Sequence, residues 1–161
     1  DLDADGDLDV VALSRQAEEL VWYENAGFGR FEHVAALQQA PGEIRRFAVL
    51  DADQSAPLDL AVAGDFGVLV YLATSSGGYG QPIVIGDQKI GWEVAAGDLD
   101  GDGWEDLAYS VGDATGFSGP TRLELVKNLG GGAFSPAALV SNDSANSVMI
   151  ADVTGSELPD L

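Results

Sequence analysis

The sequence predicts an all-β fold built from repeated four-stranded antiparallel sheets. Two observations carry that expectation. A short acidic phrase recurs four times at a spacing near fifty residues, and the runs between its copies are short, rich in β-branched and aromatic residues, and bounded by Gly, Asn, Asp, Ser and Pro. No segment of useful length shows an apolar stripe at helical spacing. Repeats with a period of about 20–50 residues mark stacked or radial architectures, in which each unit buries its faces against its neighbours.

The acidic phrases run Asp1–Asp9, Asp51–Asp59, Asp98–Asp106 and, in weaker form, Asp152–Asp160, with starts separated by 50, 47 and 54 residues. A short apolar run precedes each later copy: Phe47–Leu50, Trp92–Ala96 and Ser147–Ala151. A second run follows the first three copies, at Leu8–Leu13, Leu58–Ala63 and Asp106–Val111. A third comes at Leu20–Tyr23, Val68–Leu72 and Leu123–Val126, and a fourth at His33–Leu37, Ile83–Ile85 and Ala137–Val140. The third and fourth are joined by a glycine-rich turn, Asn25-Ala-Gly-Phe-Gly-Arg-Phe31 in one unit and Asn128-Leu-Gly-Gly-Gly-Ala-Phe134 in another. The intervening unit carries the looser Thr74–Pro82. Glycines there permit positive φ and a tight reversal, and the trailing Phe is expected to bury its ring beneath the turn. Four short strands per fifty-residue unit is the arithmetic of a propeller blade.

The acidic loop between strands one and two, paired with the Asn-x-Gly-x-Gly-x-Phe turn between strands three and four, resembles the FG-GAP and VCBS repeat family. The resemblance extends over essentially the whole chain. In that family, which includes the integrin α-subunit head and many bacterial surface proteins, the repeats form calcium-loaded β-propellers. The likeness implies that the first strand of each blade lines a central channel and that the acidic loops share one face. It divides the chain into 1–40 (a blade lacking its innermost strand), 44–88, 91–143, and 146–161 (an innermost strand and its loop). That makes twelve expected strands, about three blades' worth, whereas propellers close with about four to eight blades. Closure therefore calls for further repeats of the same chain or for neighbouring copies, and a fragment of a larger propeller is the favoured expectation.

Each phrase places oxygen-bearing side chains at its positions 1, 3, 5 and 9. Oxygen-only donors at alternating positions suit a hard divalent cation, Ca²⁺ ahead of Mg²⁺, with one ion per loop and up to four in all. The ligand sets are Asp1, Asp3, Asp5 and Asp9 with the Asp7 carbonyl, and Asp98, Asp100, Asp102 and Asp106 with the Trp104 carbonyl. A reduced set comprises Asp51, Asp53, Ser55 and Asp59 with the Pro57 carbonyl. The weakest is Asp152, Thr154, Ser156 and Asp160 with the Leu158 carbonyl. Ligand charge ranks the affinities in that order, the first two sets standing together. An EF-hand requires a glutamate at position 12, where Ala12 and Tyr109 stand in strand-like runs. Solvated turns without an ion are the plainer alternative. The expected role of the ions is structural, because an all-protein cage leaves no open coordination position.

Composition narrows the rest. The formal net charge is −20, yet 46% of the residues are hydrophobic and 13 of the 18 aspartates stand at proposed side-chain ligand positions, so this is not a disordered acidic tract. Seven Lys and Arg residues argue against nucleic acid as a partner. The absence of cysteine excludes disulfides and thiolate metal sites. No apolar run approaches membrane-spanning length, so no membrane insertion is expected. Calcium modules of this kind point to an extracellular, cell-surface or periplasmic setting. The single histidine, His33, has no serine or cysteine partner in a recognisable order, so no catalytic residue is assigned.

By the family likeness, Arg45, Arg46 and Trp92 lie near the channel mouth. An aromatic face beside guanidinium groups there would suit a sugar, although ordinary packing and ion pairs explain the same residues. The expected function is a calcium-stabilised extracellular binding or adhesion module that recognises carbohydrate or protein through its loops. A propeller domain of a polysaccharide-active lyase or dehydratase is the alternative, with Arg45, Arg46 and Tyr109 as its candidates. An architectural repeat of a surface filament is a third.

Overall fold

The computed structural model describes residues 1–3, 5–14, 19–37, 40–75, 78–87, 89–112, 122–143, 145 and 147–152. Among them all regular structure is strand: β1 (Val10–Ser14), β2 (Glu19–Asn25), β3 (Phe31–Leu37), β4 (Ile44–Leu50), β5 (Asp59–Gly64), β6 (Gly67–Tyr71), β7 (Ile83–Ile85), β8 (Ile90–Gly97), β9 (Asp106–Gly112), β10 (Arg122–Val126) and β11 (Ala138–Ser141). They form three antiparallel meanders, β1-β2-β3, β4-β5-β6-β7 and β8-β9-β10-β11. These are propeller blades, with three strands in the first and four in each of the others. No helix among the described residues is long and apolar enough to cross a membrane.

The blades are held by their faces. Every residue of β5, β6 and β9 is buried, so these strands read as unbroken apolar runs instead of alternating ones. The period of two still operates, but it divides each strand between two cores. On β5 and β6, Leu60, Val62, Leu69 and Tyr71 join Leu20 and Ile44 in the core between the first and second blades. Their neighbours Ala61, Ala63, Val68 and Val70 face the other way and join Val94, Leu107, Tyr109, Val111 and Val126 in the core between the second and third. Close approach at this second interface depends on Gly91 of β8. A Cβ there would stand 2.4 Å from the Gly67 carbonyl oxygen and 3.1 Å from the Ala63 Cβ.

Two differences from the sequence expectation stand out, the first with a physical cause. First, β4 and β8 begin at Ile44 and Ile90, earlier than Phe47 and Trp92. Each carries a bulge, at Arg45 and at Trp92, where one extra residue interrupts the pairing and breaks the alternation by which a strand is read. Second, Ser147–Ala151 forms no ladder strand. The segment continues into residues 153–161, which lie outside the described residues. Ile150 nevertheless packs over Gly97 at the end of β8, as the inner strand of a following blade would.

The trailing phenylalanines also differ between units. Phe134 packs onto the core between the second and third blades, while Phe31 is 48% exposed.

Candidate metal centres

Each acidic loop leads from the end of an inner strand into the second strand of its blade, β4 to β5 and β8 to β9, with the first loop entering β1. Within the loops, carboxylates accept hydrogen bonds from the backbone that follows them. In the first, the N–H groups of Asp5, Asp7 and Gly6 donate to Asp3, Asp5 and Asp1 at 3.3, 2.9 and 3.2 Å. The third repeats the scheme: Asp102, Trp104 and Gly103 donate to Asp100, Asp102 and Asp98 at 3.2, 2.9 and 2.9 Å. The second keeps one such bond, Ser55 to Asp53 at 3.0 Å. Gly6 and Gly103 adopt φ of 100° and 90°, in the left-handed region that lets the chain curl back on its first carboxylate.

This curling gathers the side chains. Carboxylate oxygens of Asp1, Asp3 and Asp5 lie within 4.8 Å of one another, as do those of Asp51, Asp53 and Asp59, and those of Asp98, Asp100 and Asp106. Three converging oxygens without a nitrogen or sulfur donor are the donor chemistry of a hard cation, and the residues present fit one. Asp9 and Asp102 lie outside these triads. Ser55 and Pro57 are beside the second triad, and the bond preceding Pro57 is cis. Asp7 and Trp104 occupy the carbonyl positions, and the Trp104 ring lies over Gly130. In the fourth loop Asp152 is exposed, and Thr154, Ser156, Leu158 and Asp160 lie outside the described residues.

The aspartate at position 9 has a second task that its spacing does not reveal. Asp59 takes the N–H of Ala52 on one oxygen and that of Ala73 on the other, both at 2.8 Å. Asp106 does the same with Leu99 at 3.2 Å and Asn128 at 2.8 Å, and Asp9 with Leu2 at 2.8 Å and Asn25 at 2.9 Å. In all three units this carboxylate ties the start of the acidic loop to the end of the third strand. Since each oxygen has lone pairs to spare, the tie leaves room for a cation. Burial is the main cause that raises the carboxyl pKa of Asp59 and of Asp106, with nearby loop aspartates adding to it. Burial is also the largest single cause acting on Asp9 and would raise its pKa, but the N–H groups of Asn25 and Leu2, the N-terminal charge and the Trp22 side chain together hold it below its ordinary value.

The turns bear on the loops as well. Asn128 donates its side-chain N–H to the Ala52 carbonyl at 2.9 Å, and Gly132 donates its backbone N–H to the same oxygen at 3.2 Å. Leu58 N–H reaches the Leu2 carbonyl at 2.9 Å, and Glu105 accepts from Asp51 N–H at 2.6 Å. The loops of the three units thus form a hydrogen-bonded row along one face.

Two charged residues flank this row. Lys127 places its ammonium 2.6 Å from Asp100. That contact is the main cause that raises the lysine and lowers the aspartate. Glu24 stands against the first loop, where desolvation and the charges of Asp3 and Asp5 raise its pKa.

Arg45, Arg46 and Trp92 come together at the opposite ends of the inner strands. The Arg45 guanidinium lies over the Trp92 ring, 4.6 Å from its centroid, and pairs with Asp65 at 2.6 Å. Arg46 pairs with Glu93 at 3.3 Å. Arg45 and Trp92 are the bulged residues of β4 and β8, and the bulges aim them at each other. Tyr109 is in the core, with its hydroxyl donating to buried Glu124 at 3.1 Å.

Fold and loops together define an array of β-propeller blades with an acidic loop in each. Residues 90–122 match the family model of the FG-GAP repeat, so the resemblance read from the motifs is shown in the third unit. Among solved structures, the chain is similar to that of a lectin from Agrocybe aegerita, described as the structural basis of specific recognition of non-reducing terminal N-acetylglucosamine. The identity is 23% and the TM-score 0.58, over 89% of this chain and 37% of that one, a likeness of fold. This chain therefore spans well under half the length of that lectin chain. No curated protein matches the sequence.

Proposed function

We propose that the chain is a calcium-stabilised propeller binding module that works outside the cell and presents its loops to a carbohydrate or protein partner. The observation that carries this reading is the threefold recurrence of a carboxylate triad whose oxygens lie within 4.8 Å of one another. Such triads gather charge that a divalent ion would neutralise, and the ion would pin the turn between the first two strands of a blade. A lectin with the same fold supports carbohydrate as the first partner class to test.

Calorimetric titration with Ca²⁺ and Mg²⁺, together with thermal melting in excess Ca²⁺ and in chelator, tests the metal. Binding to the folded state alone at a hundred times the Kd stabilises by about 2.7 kcal/mol per site. Calcium is expected to raise the melting temperature by several degrees and to act at lower concentration than magnesium. Identical melts with and without chelator would overturn the calcium assignment. A panel of immobilised glycans tests the partner, and binding that survives chelation would separate recognition from the metal.

A further inference from the structure

We propose that Lys127 is the resident cation of the third acidic loop, which leaves the first loop, where Glu24 holds the equivalent place, as the tight metal site of the row. This rests on the reading of the acidic loops as cation sites and ranks those sites by residues outside the acidic phrase.

The equivalence is set by hydrogen bonds. In each unit the position-9 aspartate accepts the N–H of a residue at the end of the third strand or two beyond it: Asn25, Ala73 and Asn128. The residue just before that anchor is therefore held in one place relative to its loop in all three units. It is Glu24 in the first, Leu72 in the second and Lys127 in the third. Leu72 lies against Gly132 of the third blade's turn and brings no charge. Lys127 reaches back to Asp100, a member of the third triad, with an N–O distance of 2.6 Å.

Counting that residue with positions 1, 3, 5 and 9 changes the order of the loops. The first holds Asp1, Asp3, Asp5, Asp9 and Glu24, a formal charge of −5. The second holds Asp51, Asp53 and Asp59 for −3, and the third holds four aspartates and Lys127, also −3. The phrase alone makes the first and third loops equals, but with its neighbour the third falls level with the second. An ammonium about 5 Å from a divalent ion lowers affinity about tenfold even at the dielectric of water, and a carboxylate at similar range raises it by a like factor. The first and third loops therefore differ by about a hundredfold. To bind at the third, an ion must also displace the ammonium from Asp100.

Terbium is the probe, because Trp104 lies inside the third loop and transfers its excitation to a lanthanide bound there. The part of the tryptophan-sensitised emission that Trp104→Phe abolishes belongs to that loop. In wild type this part is expected to rise only after the first calorimetric step is complete. Lys127→Met, which keeps most of the apolar stem, should shift its midpoint about tenfold toward lower terbium. Glu24→Gln should weaken the first calorimetric step and leave the Trp104-dependent curve in place. Terbium uptake with coincident curves for wild type and Lys127→Met overturns the proposal alone, whereas no uptake in any variant overturns the cation reading with it. Melting in chelator reads the lysine without metal. Lys127→Met should melt about 2 °C below wild type, with the gap closing as salt is added. An unchanged melt overturns the resident-cation assignment whether or not any loop binds metal.

Discussion

Replacing Asp106 with asparagine isolates the tie between loop and turn. The side chain is fully buried, and each of its oxygens accepts one backbone N–H, from Leu99 at 3.2 Å and from Asn128 at 2.8 Å. Asparagine has nearly the same shape but only one oxygen. However its amide is turned, one of those N–H groups meets an NH₂ group. A hydrogen bond to a charged acceptor contributes about 1.5–3 kcal/mol, and leaving a buried donor unpaired costs about 1–3 kcal/mol. Relief from burying a charge near Asp100 and Asp102 offsets part of this, as the raised Asp106 pKa indicates. The net expectation is a loss of about 2 kcal/mol, or about 4–8 °C for a chain of this size. Melts belong in chelator, so that any lost metal affinity does not enter. Asp102→Asn is the control: it removes the same charge from an exposed residue that accepts a single N–H from Trp104, and it should shift the melt by less than about 2 °C. Amide exchange at Leu99 and Asn128 should accelerate in Asp106→Asn. An Asp106→Asn protein that melts with the Asp102→Asn control would refute the reasoning.

Other perturbations have equally definite outcomes. Asp59, Asp106 and Glu24 have folded pKa values above their ordinary ones, so they favour folding below those ordinary values and that contribution is lost as pH rises through the folded pKa. Asp9, Asp87 and Asp100 are lowered, so their contribution is present above the ordinary value and is lost as pH falls through the folded one. In chelator, the urea midpoint should therefore pass through a maximum on the acid side of neutrality, and a steady fall from pH 7 downward would contradict these shifts. Gly91→Ala drives a Cβ to 2.4 Å from the Gly67 carbonyl oxygen, an atom of the backbone that cannot rotate aside. Urea unfolding should show a loss of about 1–3 kcal/mol, and an unchanged midpoint would mean that the blades are packed less closely than described. Asn128→Ala removes the buried bond to Ala52 and the acceptor for Gly130 N–H; it should lose about 1–2 kcal/mol by the same method, more than Asn25→Ala, whose amide bond to the Leu8 carbonyl is exposed.

The fold was legible because its signals are local. Glycine-rich turns and apolar runs such as Leu58–Ala63 and Ile83–Ile85 locate strands without knowledge of the neighbours. The bulges at Arg45 and Trp92 were not legible, because an extra residue shifts the alternation and looks like the end of a strand. Within the loops, spacing brought out Asp1, Asp3 and Asp5 as a group, which the structure gathers. It could not separate Asp9 from them, since a carboxylate that clamps two N–H groups and one that faces an ion share the same letter. Lys127 and Glu24 were passed over for another reason. Each is more than ten residues from the loop whose charges it senses, and only the antiparallel return of the third strand brings it back. One signal was available: these two residues hold the same place before the turn asparagine and carry opposite charge.

The bond from Asn128 to Ala52 also bears on how such an array can be recombined. Its donor belongs to one repeat and its acceptor to the repeat before it. The second repeat has Ala73 at the same place and no amide to offer, so its junction with the first relies on Leu58 N–H and the Leu2 carbonyl instead. Each seam is therefore written in different atoms. Grafting the second turn into the third repeat would strip the Ala52 carbonyl of both its donors, since Asn128 and Gly132 both belong to the turn that is replaced. Copies that look interchangeable as text have acquired addresses, and their order along the chain is part of the structure.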